Sequence, residues 1–353
     1  MKYQKTLLLI ALTILSSRSL CQDALFTQFN YSPLYLNPAF TGCGKNNLRI
    51  SGLTKMQWFN LYKPYKYFNG AVDRSIYDDN LRNIVNLGLA VNHASKGYLR
   101  NTNISGILGR SFGTNSSNCS NWFLSMALQA GITLGSVNNN DFVFIDQLDQ
   151  NGITGSPSQV DLFVNGTNKK YFDMSAGFVY TRNDFMIGGA VHHINEPYVS
   201  FNGKPENGRL PKKITTHMSI LYENDILKLK PTIIAQIQGE SRVLIGGILI
   251  SFNEYPIELG CWYRNNSGLS NNNAFSVGFT WKWGQNKTGY TPTNEYSTKA
   301  GLSYDAEIIK PGLYTTHGSL ELGLQRDIII NNDIKCPTAS SGICSYRFPW
   351  EFF

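Results

Sequence analysis

Long apolar runs are missing from this 353-residue chain after its first residues. No later stretch reaches about 18 apolar residues, so no membrane-crossing helix is expected. Charge is scarce as well, at 16% Asp, Glu, Lys and Arg. The net charge of +7 includes Lys2, Lys5 and Arg18, and setting those three aside leaves +4, dispersed along the chain. That balance excludes a nucleic-acid partner, which calls for a clustered basic face. Cysteines number six, and none of their spacings makes a zinc site. No phosphate-binding loop or His-Glu-x-x-His helix occurs, no catalytic residue is assigned and no cofactor is expected. His192 and His193 are neighbours on a strand-like run. Strand alternation sends them to opposite faces and keeps them from sharing a metal.

What is present is alternation. In 275–283, Phe275, Val277, Phe279, Trp281 and Trp283 alternate with Ser276, Gly278, Thr280 and Lys282. A strand then carries one aromatic or aliphatic face and one polar face. In 124–135, Leu124, Met126, Leu128, Ala130, Ile132 and Leu134 alternate with mostly small or polar residues, and Leu320, Leu322 and Leu324 do so near the end. The runs suit the about 9–11 residues of a tilted bilayer-spanning strand better than the about 5–6 of a soluble sandwich. Fourteen such runs lie between residues 48 and 326. The expected fold is therefore an all-β antiparallel transmembrane barrel of the outer membrane, with about 14 strands. An even count places both termini on the periplasmic side, and the polar insertion 138–170 on the outer side. Asp173, Glu258, Arg264 and Glu321 fall on the polar face, either as a water-lined wall or as a paired interior. Cys261 falls on the apolar face and reads as a small buried hydrophobe.

Four regions follow. Residues 1–21 read as a signal peptide, with basic Lys2 and Lys5, an apolar Leu7–Leu15 and cleavage between Cys21 and Gln22. Cys21 as a lipoprotein cysteine is the weaker reading, because Leu20 is large where that signal wants a small residue. Residues 22–47 form a plug or periplasmic cap segment: Phe26, Phe29, Tyr31, Leu34, Tyr35, Leu36 and Phe40 need a surface to cover, and Pro33 and Pro38 interrupt any strand. Residues 48–326 form the barrel. Residues 327–353 form a periplasmic tail, in which Cys336 and Cys344 could close a disulfide loop and Trp350 could dock a partner. Without Cys21 the cysteine count is odd, so at least one stays unpaired or intermolecular.

Gln22-Asp23-Ala24-Leu25-Phe26-Thr27-Gln28-Phe29, followed by Tyr35-Leu36-Asn37-Pro38-Ala39-Phe40-Thr41-Gly42, resembles the opening of the PorP/SprF family of Bacteroidetes outer-membrane proteins. The likeness continues in Gln57-Trp58, Leu87-Gly88, Phe172-Asp173 with Gly177, His193 with Pro197, Gly260-Cys261-Trp262-Tyr263-Arg264 and Gly301-Leu302-Ser303-Tyr304-Asp305. It spans nearly the whole mature chain. Ala24 stands where the family usually has proline, Cys43 follows the motif, and the cysteine-bearing tail is unusual.

The resemblance implies an outer-membrane component of the type IX secretion and gliding machinery. Such a component docks or delivers a large secreted surface protein with a type B C-terminal domain. It also implies a peptidoglycan-associated secretion component on the periplasmic side and outer-membrane lipid around the barrel. Gln28, Phe29, Leu36, Asn37, Pro38, Phe40, Gly42 and Trp350 are the candidate partner-binding residues. A diffusion channel or lipid and solute transporter is the alternative, resting on a polar lumen alone.

Overall fold

The computed structural model describes residues 23–43, 48–77, 83–113, 122–138, 144–150, 152–155, 168–201, 208–267, 273–285, 296–308, 317–328 and 352. Its strands are β1 (Leu48–Gln57), β2 (Tyr65–Tyr77), β3 (Asn83–Lys96), β4 (Leu99–Phe112), β5 (Trp122–Val137), β6 (Leu148–Asp149), β7 (Gly152–Ile153), β8 (Asn168–Arg182) and β9 (Phe185–His192). They continue with β10 (Lys213–Ile220), β11 (Tyr222–Glu223), β12 (Leu227–Gln238), β13 (Ser241–Phe252), β14 (Ile257–Ser267), β15 (Ala274–Gln285), β16 (Tyr296–Glu307) and β17 (Ser319–Ile328). β6 and β7 make a separate small hairpin, and β11 prolongs β10 past a break at Leu221. The remaining fourteen form one antiparallel wall in chain order. β17 pairs back onto β1 from Leu48↔Ile328 to Gln57↔Ser319. The sheet is thereby a closed 14-stranded barrel, whose wall leaves no backbone edge unpaired in the bilayer.

Exposure along the wall is inverted relative to a protein that meets water on its outside. On β15, Phe275, Val277, Phe279 and Trp281 are exposed, whereas Ser276 and Thr280 are buried. On β5, Met126, Leu128, Ile132 and Leu134 are exposed, with Ser125, Ala127 and Thr133 buried between them. On β17, Leu320, Leu322 and Leu324 point out while Ser319 and Glu321 are buried. An aliphatic outer band paired with a polar interior is the arrangement lipid requires. Trp122, Trp281 and Trp283 are exposed at one rim, where indoles favour the membrane interface. No described helix is long and apolar enough to cross a membrane; the strands cross it.

That rim, where β1 begins and β17 ends, is called the lower rim here. The strand ends joined by the longest connections, Val137 with Asn168 and His192 with Lys213, are at the opposite, upper rim, which is the outer side in barrels of this type. Asn183, at a positive φ of 52°, makes the tight lower-rim turn between β8 and β9.

Two expectations change. His193 adopts a φ of 56°, ends β9 and turns inward, so both His192 and His193 are buried with ring centroids 6.4 Å apart. Alternation would have separated them; the left-handed residue breaks it. Cys261 is half-exposed on the outer face and unpaired, because the apolar face of this wall looks outward and buries nothing. The calls on Cys21, Gln22, Cys336, Cys344 and Trp350 lie outside the described residues.

Candidate functional site

Residues 23–43 contain two proline-started turns, Pro33–Leu36 and Pro38–Phe40. Proline's fixed φ suits the first position of a helical turn, where no N–H is needed. Asn37 joins the two turns, its side chain accepting the Ala39 N–H at 2.9 Å. The segment touches opposite sides of the ring: β8, β9 and β10 through Asn37, β15 through Tyr31, β17 through Thr27, and β2 through Gly42. Only a path through the lumen allows this. It also runs lengthwise, since Asp23 meets upper-rim residues and Gly42 meets Asp73 near the lower rim. Both ends of the wall do lie at the lower rim, as the even count requires, but residue 23 lies at the other.

Four polar stations hold the segment. At the upper end, Asp23 lies 2.7 Å from Lys213 Nζ and 3.0 Å from His193 Nε2, and His193 Nδ1 reaches Asp173 at 2.9 Å. Burial works against a charged imidazole, but the Asp23 and Asp173 carboxylates outweigh it and raise His193 to about 9. Burial likewise opposes a charged Asp23, yet Lys213 and His193 hold its carboxyl well below the usual range.

Next, the backbone N–H groups of Thr27 and Gln28 donate to Glu321 at 2.9 and 2.8 Å. Lys55 Nζ donates to Glu321, Asp305 and the Leu25 carbonyl at 2.8–2.9 Å. Arg264 lies 3.4 Å from Asp305. Two carboxylates and two cations are thus balanced in a station sealed from solvent, which buried charge demands.

Asn37 forms the third, its Nδ2 donating to the Phe178 and Gly189 carbonyls at 2.9 and 3.2 Å, with His217 Nε2 at 3.1 Å. At the lower end, Asp73 accepts from Arg49 and from the Gly42 N–H at 2.6 Å, and Arg49 also donates to the Phe40 carbonyl at 2.8 Å.

Between these stations the wall is thinned by inward glycines. A Cβ on Gly301 or Gly323 would collide with the Tyr31 ring, and one on Gly177 would collide with Asn37. Trp262 lies flat over Gly247, Gly260 and Gly278 and meets Phe29 edge-on at 6.5 Å. Aromatic rings can approach the wall that closely only where side chains are absent.

Of the eight candidate partner residues, Gln28, Phe29, Leu36, Asn37, Pro38 and Phe40 are buried inside the barrel and Gly42 is half-buried there. Their contacts are with the wall. Phe352, near the chain's end, is buried in the same apolar cluster as Phe29 and Trp262. Asp173, Glu258, Arg264 and Glu321 prove to be members of a paired interior. Lys55, Arg49, Asp73 and Lys213 were missed. Their signal was available: each is a charged residue on the small-polar face of a strand, where an open wall has no need of a buried charge.

Among known proteins, residues 19–334 match the family described as "Type IX secretion system membrane protein PorP/SprF". No curated protein matches the sequence. Among solved structures, the CymD monoaromatic hydrocarbon channel is similar at a TM-score of 0.51 and 9% identity, over 85% of this chain and 93% of that one. The P. putida toluene transporter TodX aligns at a TM-score of 0.49 and 8% identity, over 84% and 93%. At such identities the CymD likeness is one of fold, an outer-membrane barrel.

Proposed function

Because the chain belongs to the PorP/SprF family of type IX secretion system membrane proteins, we propose that it docks a large secreted surface protein at the outer membrane. The cargo carries a type B C-terminal domain, and the long upper-rim connections hold it. The lower rim engages a peptidoglycan-associated secretion component. Residues 22–47 act as a plug that keeps the lumen shut and braces the rim on which the cargo sits.

The observation that carries this reading is the occupied lumen. A chain segment fastened at four polar stations along the barrel axis supports a rigid platform. Free diffusion would want a cleared, water-lined bore. A diffusion channel or transporter therefore has the fold in its favour and the interior against it.

The test is a mild-detergent pull-down of the tagged protein from native outer membrane, read by mass spectrometry. Recovery of a large secreted protein with a β-rich C-terminal domain is expected. Recovery of the barrel alone, under conditions that preserve other outer-membrane complexes, would shift the reading to a channel, and conductance across planar bilayers would then show an open pore.

A further inference from the structure

A cavity of about 320 Å³ lies at the upper end of the lumen, between the inner segment and residues 193–201 and 208–212. Its floor is Asp23, Phe26 and Tyr35, and Val199, Phe201 and Leu210 close over it. These two stretches are held there by a bridge between Tyr198 and Arg209 and by Lys169 Nζ, which donates to the Ser200 carbonyl at 2.7 Å. The size is at the small end of the roughly 300–1,000 Å³ typical of small-molecule sites.

The wall on one side is a row of amides. Register places Asn69, Asn92, Asn103, Thr133 and Tyr171 side by side across β2, β3, β4, β5 and β8. Asn92, Asn103, Thr133 and Tyr171 reach the cavity, joined by Asn101 and Gln129. Carboxamides offer donors and acceptors together. Gln129 Oε1 and Asp173 Oδ1 are buried there with no partner among the described residues, and buried polar atoms normally have one. Aromatic rings complete the lining, from Phe26 and Tyr35 of the floor and Tyr67 on β2. Four cationic groups, Lys96, Lys169, Lys213 and His193, line the cavity against two carboxylates, Asp23 and Asp173.

We propose that this vestibule is a binding site for an acidic saccharide. Sugar rings present apolar C–H faces to aromatic rings and hydroxyls to amides, and a carboxylate or phosphate on the sugar answers the excess of positive charge. An extended peptide fits less well. Strand-like recognition needs an open sheet edge, and the ring has none. The protonation of His193 adds to the cationic side at neutral pH.

The test is calorimetric titration of the full-length protein in detergent. The probes are a glucuronate-containing tetrasaccharide, the neutral chitotetraose and detergent-dispersed rough lipopolysaccharide. Saturable binding of the glucuronate oligosaccharide or of the lipopolysaccharide, well above chitotetraose, is expected, and which of the two binds tells free glycan from lipid-linked glycan. Asn101→Ala and Lys169→Ala should each weaken it about tenfold or more, the scale of a lost hydrogen bond to a charged group. The heat-dependent gel shift of each variant should match the parent, showing a folded barrel. The proposal is overturned by equal binding of acidic and neutral probes, by no saturable binding of any, by affinity unchanged in both folded variants, or by selective binding of an extended peptide instead.

Discussion

Thr27 donates its backbone N–H to Glu321, 2.9 Å away and 294 positions along the chain. The bond joins the inner segment to the last wall strand, so it forms only when β17 has closed the ring against β1. Glu321 takes a second N–H from Gln28 and is paired with Lys55 on β1. Barrel closure and seating of the segment thus meet at one carboxylate.

Glu321→Gln should therefore destabilise the folded barrel more than an ordinary lumen substitution. It leaves Lys55 and Arg264 facing Asp305 alone in a sealed site, and breaking a buried pair costs about 3–5 kcal/mol. The temperature at which the compact band converts on gels should fall. Lys55→Met combined with Glu321→Gln restores charge balance and should recover part of the loss. Strictly additive losses in the double variant would show that the two residues do not act together.

Gly323→Val should disturb the segment while sparing the wall. Valine suits a strand, but its Cβ would occupy the space of the Tyr31 ring, and overpacking of this kind costs about 1–3 kcal/mol. Bilayer conductance should rise as Tyr31 is displaced. Adding Tyr31→Ala should relieve the strain, restoring stability though not closure. A Gly323→Val barrel with parental stability and conductance would refute this seating of Tyr31.

The wall was readable because lipid outside and polar groups inside write a two-residue period, and Phe275–Trp283 shows it without a break. The inner segment was readable only as a need: Phe29, Leu36 and Phe40 demanded a surface, and the period gave no hint that it was the lumen itself. Its stations were not readable, since pairings such as Thr27 with Glu321 depend on which strands face each other across the ring. The inward turn of His193 escaped for a local reason. One left-handed residue reverses the alternation on which the sequence argument rested.

The upper-rim anchor should depend on pH in both directions. His193 is raised to about 9 in the folded protein, so its contribution is complete below its unfolded value of about 6.5 and is lost as pH rises through 9. Asp23 is depressed, so its contribution holds above about 3.9 and is lost as pH falls below that. Proteolysis of the segment near Asp23 should be slow at pH 7 and faster at pH 10. His193→Gln should remove the alkaline step, on the order of 3 kcal/mol. Uniform protection from pH 7 to pH 10 in the parent would argue against a charged His193.

Asn37 offers the sharpest separation of the inner segment from the wall. Its side chain spends Nδ2 on the Phe178 and Gly189 carbonyls and Oδ1 on Ala39, and it has no part in the strand ladder. Asn37→Leu loses these bonds, each about 0.5–1.5 kcal/mol, and its branched end would press on the space left by Gly177. The barrel should still fold and show the compact gel band. The segment between residues 33 and 42 should become open to added protease, and surface display of the secreted partner, read by antibody on intact cells, should drop severalfold. If protease cuts the segment while display stays at the parental level, the plug is not what holds the outer rim in its docking form, and the bracing role proposed for residues 22–47 fails even though the docking of cargo by the loops would stand.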